Sequence, residues 1–399
     1  MTEWREVTIE ELAEKIAMGP FGSDIKVETF KPCGVPIISG KHLHETRMRD
    51  KGFNFISEEH ADKLSNANVF RGDVIFTHAG NIGQVSFIPE NSKYERYVIS
   101  QRQFYLRCNS NVLDYEFIAY YFKSPYGQYQ LLANANQTGV PSLAQPVSYL
   151  KSIKVLLPPL TEQKAIAEVL SSLDDKIDLL TRQNKTLEDL AQAYFRKWFI
   201  EDASDEWEIK KLRDFGEIIC GKTPPTTNKK FFNGNIPFIK IPDMHNNVYI
   251  FDTADTLSEM GAKYQENKFI PPMSICVSCI ATVGLVSMNV FLSQTNQQIN
   301  SLIPKHDKYR YYLFLFLRSY RDELLALGSG GTMTLNINKT LFGDIECYCP
   351  DDEILFRFNN VVNPLFGKIY NNCKQIRILS KLRNTLLPKL ISGEIRVKM

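Results

Sequence analysis

No long apolar run occurs in this sequence. Its densest apolar stretch, Tyr311 to Leu317, is far short of the roughly 20 residues a membrane-spanning helix needs. The opening Met-Thr-Glu-Trp-Arg-Glu shows no apolar segment behind a basic start, so a cytoplasmic location is expected. Charge of one sign is missing too. The formal net charge is only +2, and a nucleic-acid surface would have to gather its basic residues on one face and offset them elsewhere. Signatures of catalysis are equally scarce: there is no G-x-S-x-G elbow, no Asp/Asn-Pro-Pro-aromatic signature of amino-methyltransferases, and the six histidines are not spaced as metal pairs. Any methylation or cleavage therefore belongs to partners. The eight cysteines, at 33, 108, 220, 276, 279, 347, 349 and 373, are unevenly spaced and read as reduced thiols. What is present, 399 residues with 44% hydrophobic and 23% charged, suits two globular domains.

The chain is written twice. Trp4-Arg5-Glu6-Val7 returns as Trp207-Glu208-Ile209-Lys210, and Gly34-Val35-Pro36-Ile37-Ile38 as Asn235-Ile236-Pro237-Phe238-Ile239. Ile82-Gly83-Gln84-Val85-Ser86 matches Val283-Gly284-Leu285-Val286-Ser287. Gly139 to Leu143 matches Gly331 to Leu335, and from there the copies are expected to stay in step at an offset of 192 residues. Each copy opens with about 150 residues of short β-branched and aromatic runs, such as Val74-Ile75-Phe76 and Phe104-Tyr105-Leu106, separated by Gly, Pro and Asn turns. This reads as an α/β or α+β globule. About 40 residues with almost no glycine follow, and these read as helix.

Spacing supports the helices. Ile166, Leu170, Leu173, Ile177, Leu180, Asn184, Leu187, Ala191, Tyr194 and Trp198 fall at steps of four and three, the seam of a coiled coil. The second copy repeats this at Phe358, Val362, Leu365, Ile369, Asn372, Ile376, Leu379, Arg383, Leu386 and Leu390. Short strands, Val155-Leu156-Leu157 and Cys347-Tyr348-Cys349, lead into both helices. Pro364 is expected to kink or delay the second. Pairing through a pseudo-two-fold axis makes the helices antiparallel and sets Asn184 against Asn372, Trp198 against Phe358 and Ile166 against Leu390. The two amides would then fix register at some cost in stability. A seam from 166 to 198 makes a rod of about 50 Å, comparable to one and a half turns of B-DNA. Such a rod with unlike globules would read two short sequences at a fixed separation. The organisation expected is a first globule at 1–157, a helix at 158–200, a second globule at 201–349, a helix at 350–392 and a tail at 393–399.

Two motif matches are rejected on context. Gly216 to Thr223 satisfies the P-loop pattern G-x-x-x-x-G-K-T, but Lys211-Leu212-Arg213-Asp214-Phe215 precedes it and Pro224-Pro225 breaks any following helix. Cys276-Val277-Ser278-Cys279 has the spacing of half a zinc site, with only Cys347 and Cys349 to complete it; buried strand thiols are expected instead.

Three segments stand out: Leu157-Pro158-Pro159-Leu160-Thr161-Glu162-Gln163 opening the first helix, Leu382 to Gly393 closing the second, and Met18-Gly19-Pro20-Phe21-Gly22-Ser23. By these the chain strongly resembles the specificity subunit (HsdS) of type I restriction-modification systems. The resemblance implies two target-recognition domains for a split, asymmetric DNA site, a spacer set by the helices, and a complex with two modification (methyltransferase, HsdM) subunits and restriction (HsdR) subunits. S-adenosylmethionine, ATP and Mg are then expected only in those partners, and no metal or cofactor in this chain. The second copy departs from the pattern, with Pro350-Asp351-Asp352-Glu353-Ile354-Leu355 where the first has Pro-Pro-Leu-Thr-Glu-Gln.

Base edges are read by Arg, Lys, Asn and Gln, and phosphates are held by Lys, Arg, hydroxyls and backbone amides. In the first globule such residues gather at Lys41, His42, His44, Arg47, Arg49 and Lys51, and again at Ser100, Gln101, Arg102 and Gln103. The second offers Lys222, Thr223, Lys229 and Lys230, then Lys240, His245, Asn246 and Asn247, and Thr295, Asn296, Gln297 and Gln298. The loops Gln137 to Ser142, with Thr138, and Gly328 to Thr334, with Thr332, suit close backbone approach to phosphate. Ser-Gln-Arg-Gln and Thr-Asn-Gln-Gln are taken to occupy the same place in both copies. Two other readings stand beside this one: a scaffold that spaces two protein-binding modules, and a nucleotide enzyme resting on the P-loop match alone.

Overall fold

The first strand of each globule pairs with its last. Arg5–Thr8 runs antiparallel to Lys154–Leu157, and Glu208–Lys211 runs antiparallel to Glu346–Cys349, so each long helix leaves from a ribbon tied to the start of its own copy. The computed structural model describes residues 4–22, 24–136, 139–328 and 336–397. They form two compact units, Met1–Ile177 with Ile378–Met399 and Asp178–Arg377, so each unit holds one globule and part of both long helices. The sequence boundaries set the helices apart as segments of their own. The structure divides them between the units, because globule side chains complete their apolar faces.

In the first unit a four-stranded sheet places Ala13–Met18, Gln103–Cys108, Val74–Thr77 and Val85–Phe87 side by side. A second sheet orders Asn54–Ile56, Val35–Ile38, Tyr97–Ile99 and Asn68–Val69. Helix Tyr115–Lys123 covers the first sheet with buried Phe117, Ile118 and Phe122, in a core that also takes Ile166, Leu170, Leu390 and Ile391 from the long helices. The second unit repeats the plan, with a five-stranded sheet around Ile275–Ser278 and Ile299–Pro304 and a three-stranded sheet around Phe232–Ile239. Its core takes Ala191, Phe195, Phe199, Leu355, Phe358 and Phe366 from the helices. Phe195, Phe199, Leu355 and Phe366 lie off the heptad seam; they face the globule, which is why seam spacing alone does not find them.

The first long helix spans Leu160–Arg196 and the second Asp352–Ile391. Pro364 neither delays nor interrupts the second. It stands on the exposed side, where the carbonyl it leaves unpaired can meet solvent. Within the first unit Asp174 pairs with Arg383 at 2.5 Å; within the second Trp198 packs on Phe358 with centroids 5.8 Å apart. Each unit thus holds an antiparallel helix pair. Asn372 Nδ2 donates to Asn184 Oδ1 at 2.9 Å, and Asn184 Nδ2 lies 3.4 Å from Cys373 Sγ. Asn372 is fully buried, and its Oδ1 has no hydrogen-bond partner.

The Glu-Gln pair that opens the first helix is a lock. Gln163 accepts from Asp114 N at 2.8 Å and donates to the carbonyls of Val112 and Pro158. Buried Glu162 accepts from Trp4 Nε1 at 3.1 Å and Arg396 Nη2 at 2.6 Å. The second copy replaces this polar lock with apolar packing, with Leu355 wholly buried.

Candidate nucleic-acid interface

Parallel pairing brings two strand ends to one side of the first globule. Val35–Ile38 lies beside Tyr97–Ile99 in the register Ile37 to Val98 and Ile38 to Ile99, so Ser39 and Ser100 emerge together. The turn after Ser100 closes by Gln103 N donating to Ser100 O at 3.0 Å. Gly19 runs directly against this turn: a Cβ there would stand 2.1 Å from Ser100 O, which only glycine avoids. The turn after Val74–Thr77 joins the same end, held by Gly80 N to Pro141 O at 2.9 Å and Leu143 N to His78 O at 2.8 Å.

The segments after Ile38, Val74–Thr77 and Ile99 enclose a cleft of about 400 Å³ lined by Lys41, His44, Asn81, Gln84, Arg102 and Gln103 among others. Three lining residues are basic and none is acidic. The glutamines are tied inward. Buried Gln103 accepts from Ser100 Oγ, Thr77 Oγ1 donates to Gln84 Oε1 at 3.1 Å, and Gln84 Nε2 donates to Gly40 O at 3.0 Å. Gln101 and Arg102 are exposed at the rim.

Other residues singled out in the first globule serve the fold. His42 Nδ1 accepts from Ser39 N at 2.9 Å while its ring lies 4.5 Å from Phe53, and burial lowers its pKa, so it is a neutral turn brace. Arg47 pairs with Asp175 of the first long helix at 2.6 Å and lies over the Phe87 ring. Arg49 pairs with Glu45 at 2.6 Å. Lys51 is exposed, and Ser142 bridges Ala79 beside the cleft. Gln137, Thr138, Thr332 and Thr334 lie outside the described residues. Asn81 and Gln84, which line the cleft, were missed; the glycines flanking them, Gly80 and Gly83 at positive φ, were the available signal of a tight turn.

The second globule builds the same end. Asn296 N donates to Ile239 O at 3.1 Å as Ser100 N does to Ile38 O at 2.8 Å, and Cys279 N donates to Gln298 O as His78 N does to Arg102 O. Gly221 approaches Asn296 O as closely as Gly19 approaches Ser100 O, at 2.1 Å from a built Cβ. The equivalents of Ser100, Gln101, Arg102 and Gln103 are therefore Asn296, Gln297, Gln298 and Ile299. The expected match beginning at Thr295 is one residue out of step, because Thr295 still belongs to the buried strand. Likewise Leu143 corresponds to Ile337, each donating to the equivalent carbonyl, so the offset here is 194 and reaches 192 only by Ile153 and Ile345, which accept from Ile9 N and Leu212 N.

At this end Thr223 Oγ1 donates to exposed Gln297 at 2.6 Å, Asn296 Nδ2 donates to Gln298 Oε1 at 2.9 Å, and Lys222 N donates to Thr295 O with its ammonium over Tyr264. Lys240 follows the strand but pairs with Asp255 at 2.6 Å. Lys229 and Lys230 sit on an exposed turn, Lys230 O accepting from Ser258 Oγ. His245, Asn246 and Asn247 form another exposed turn, with Asn247 held to Asp243 O and Asn246 at positive φ.

Gly216–Cys220 is a strand antiparallel to Ile299–Pro304 and no helix follows Thr223, so the P-loop match has no phosphate cradle. Cys276 and Cys279 are buried in and beside the central strand, and burial raises both thiols to about 12. No group of three metal-ligating side chains occurs among the described residues, and none of their helices is long and apolar enough to cross a membrane.

Two modules of one plan, each with a polar turn-lined end and tied to paired long helices, define a duplicated recognition protein. Residues 1–189 and 204–386 each match the type I restriction modification DNA specificity domain, and the chain belongs to that family. It is 34% identical to the type I restriction enzyme HindI specificity subunit of Haemophilus influenzae over 403 residues, 82% of this chain and 87% of that protein. To the MjaIX specificity subunit of Methanocaldococcus jannaschii it is 29% identical over 99% of this chain and 94% of that one. The fold matches the crystal structure of the type I restriction-modification S subunit from M. genitalium with a TM-score of 0.61 at 17% identity, covering 99% of this chain and 96% of that chain.

Proposed function

We propose that this chain is the DNA-reading specificity subunit of a type I restriction-modification complex, each globule reading one half of a bipartite asymmetric site. The helices set the spacer. The chain carries no catalytic centre on this reading: two HsdM subunits supply S-adenosylmethionine-dependent methylation, and HsdR supplies ATP- and Mg-dependent cleavage. The observation that carries the reading is the matched pair of turns, 100–103 and 296–299, held by the same backbone hydrogen bonds and bearing different polar side chains. Shared framework with different tips is what two readers of unlike half-sites require.

Retardation of duplex DNA over a salt series tests this. A reader that neutralises phosphates loses affinity steeply as salt rises. Exchange of residues 1–157 for those of a relative is expected to change one half of the methylated sequence and spare the other. Salt-independent behaviour, or an exchange without effect on sequence, would favour a protein scaffold instead.

A further inference from the structure

At equivalent places on the two recognition ends the backbone agrees and the chemistry does not. Arg102 of the first module is Gln298 of the second, and in the neighbouring turn Gly80 is replaced by Ala281, both at positive φ (84° and 63°). Gly80 lies next to the guanidinium: a Cβ there would stand 3.3 Å from Arg102 Nη1, close enough to move that tip by a few tenths of an ångström. Arginine thus accompanies glycine in one module and the shorter glutamine accompanies alanine in the other. Around Arg102 the cleft holds Lys41 and His44 and no carboxylate. Gln84 and Gln103 are spent on the cleft's own hydrogen bonds, so the exposed guanidinium is the cationic planar donor at the rim, beside the neutral amides of Asn81 and Gln101.

Paired N–H donors in that fork match the O6 and N7 acceptors of guanine in the major groove. Adenine presents a donor beside its N7, and neither pyrimidine offers two adjacent acceptors. We propose that Arg102 reads a guanine in the half-site of the first globule, and that the second globule reads no guanine through the equivalent residue. Gln298 has no cationic fork, and its Oε1 already accepts from Asn296. This rests on the DNA-reading function proposed above.

The test is selection from a randomised duplex library by the purified full chain and by two variants. The unaltered chain is expected to enrich a split motif with guanine in one half. Arg102→Gln should lower the preference for that guanine about ten- to hundred-fold, the discrimination of one bidentate pair, and leave the other half intact. The surviving half reports that the variant is folded. Gln298→Arg combined with Ala281→Gly should introduce a guanine preference into the other half. A motif that Arg102→Gln leaves unchanged, or alters at a base other than guanine, overturns this inference alone. If the unaltered chain enriches no sequence, the DNA-reading function falls and the inference falls with it.

Discussion

Replacing both Asn184 and Asn372 with leucine tests whether the central amide pair serves specificity at the expense of stability. The exchange removes the 2.9 Å amide–amide hydrogen bond, a loss of about 0.5–1.5 kcal/mol, together with two longer and weaker ones, Asn184 Nδ2 to Cys373 Sγ at 3.4 Å and Asn372 Nδ2 to Gln183 Oε1 at 3.5 Å. It also removes the fully buried, unpartnered Oδ1 of Asn372, a gain of about 1–3 kcal/mol. Two leucines then bury apolar surface at roughly 25 cal/mol per Å². The double variant is therefore expected to be more stable by about 2–4 kcal/mol. Asn372→Leu alone leaves the Asn184 amide without its 2.9 Å partner, so the apolar gain is offset by about 1–3 kcal/mol and the two substitutions are strongly non-additive. Urea unfolding followed by helix circular dichroism measures this, with a midpoint rise of about 1 M expected for the double variant. In the assembled system the same variant should accept sites with other spacers, because leucines pair in more than one register. A double variant less stable than the unaltered chain would refute the reasoning and make the pair a stabilising contact.

Two further outcomes follow from the fold. Burial lifts the Glu116 carboxyl from 4.5 to about 7, partly countered by Arg47 3.9 Å away. The folded state therefore holds a proton that the unfolded chain releases above pH 4.5. The resulting cost is absent below pH 4.5, grows up to about 7 and is complete above it, on the order of 3 kcal/mol. Glu116→Gln should raise thermal stability at pH 8 and change little at pH 4.5; an equal effect at both would show that the proton is not involved. Gly19→Ala forces a Cβ to within 2.1 Å of Ser100 O, backbone against backbone, and should cost about 2–3 kcal/mol or more and weaken duplex binding. Calorimetry and retardation assays check both effects, and an unperturbed protein would show that the glycine is not required by close approach.

Much of this architecture is legible in the residues because it depends on period. Seam positions from Ile166 to Trp198 and from Phe358 to Leu390 are all buried or half-buried, as steps of three and four demand on a helix. The recognition ends were read less well. Composition marks Arg47, Arg49 and His42 as strongly as Arg102, yet Arg49 and His42 are held locally by Glu45 and Ser39, and Arg47 by Asp175, 128 residues away. Whether a local partner is engaged is decided by the turn geometry, and a partner as distant as Asp175 cannot be seen in a sequence at all.

Repetition by itself determined that this chain holds two like modules, two long helices and an amide in each seam, since each follows from spacing along one strand of text. The seam spacing also set Asn184 against Asn372, and the structure joins them; only the tertiary structure decided that Arg102 answers to Gln298 and not to Gln297, and that a polar lock in one copy is an apolar plug in the other. These depend on which backbone groups hydrogen-bond across strands, and a shift of one residue there is invisible to composition while it changes which side chain stands at the rim.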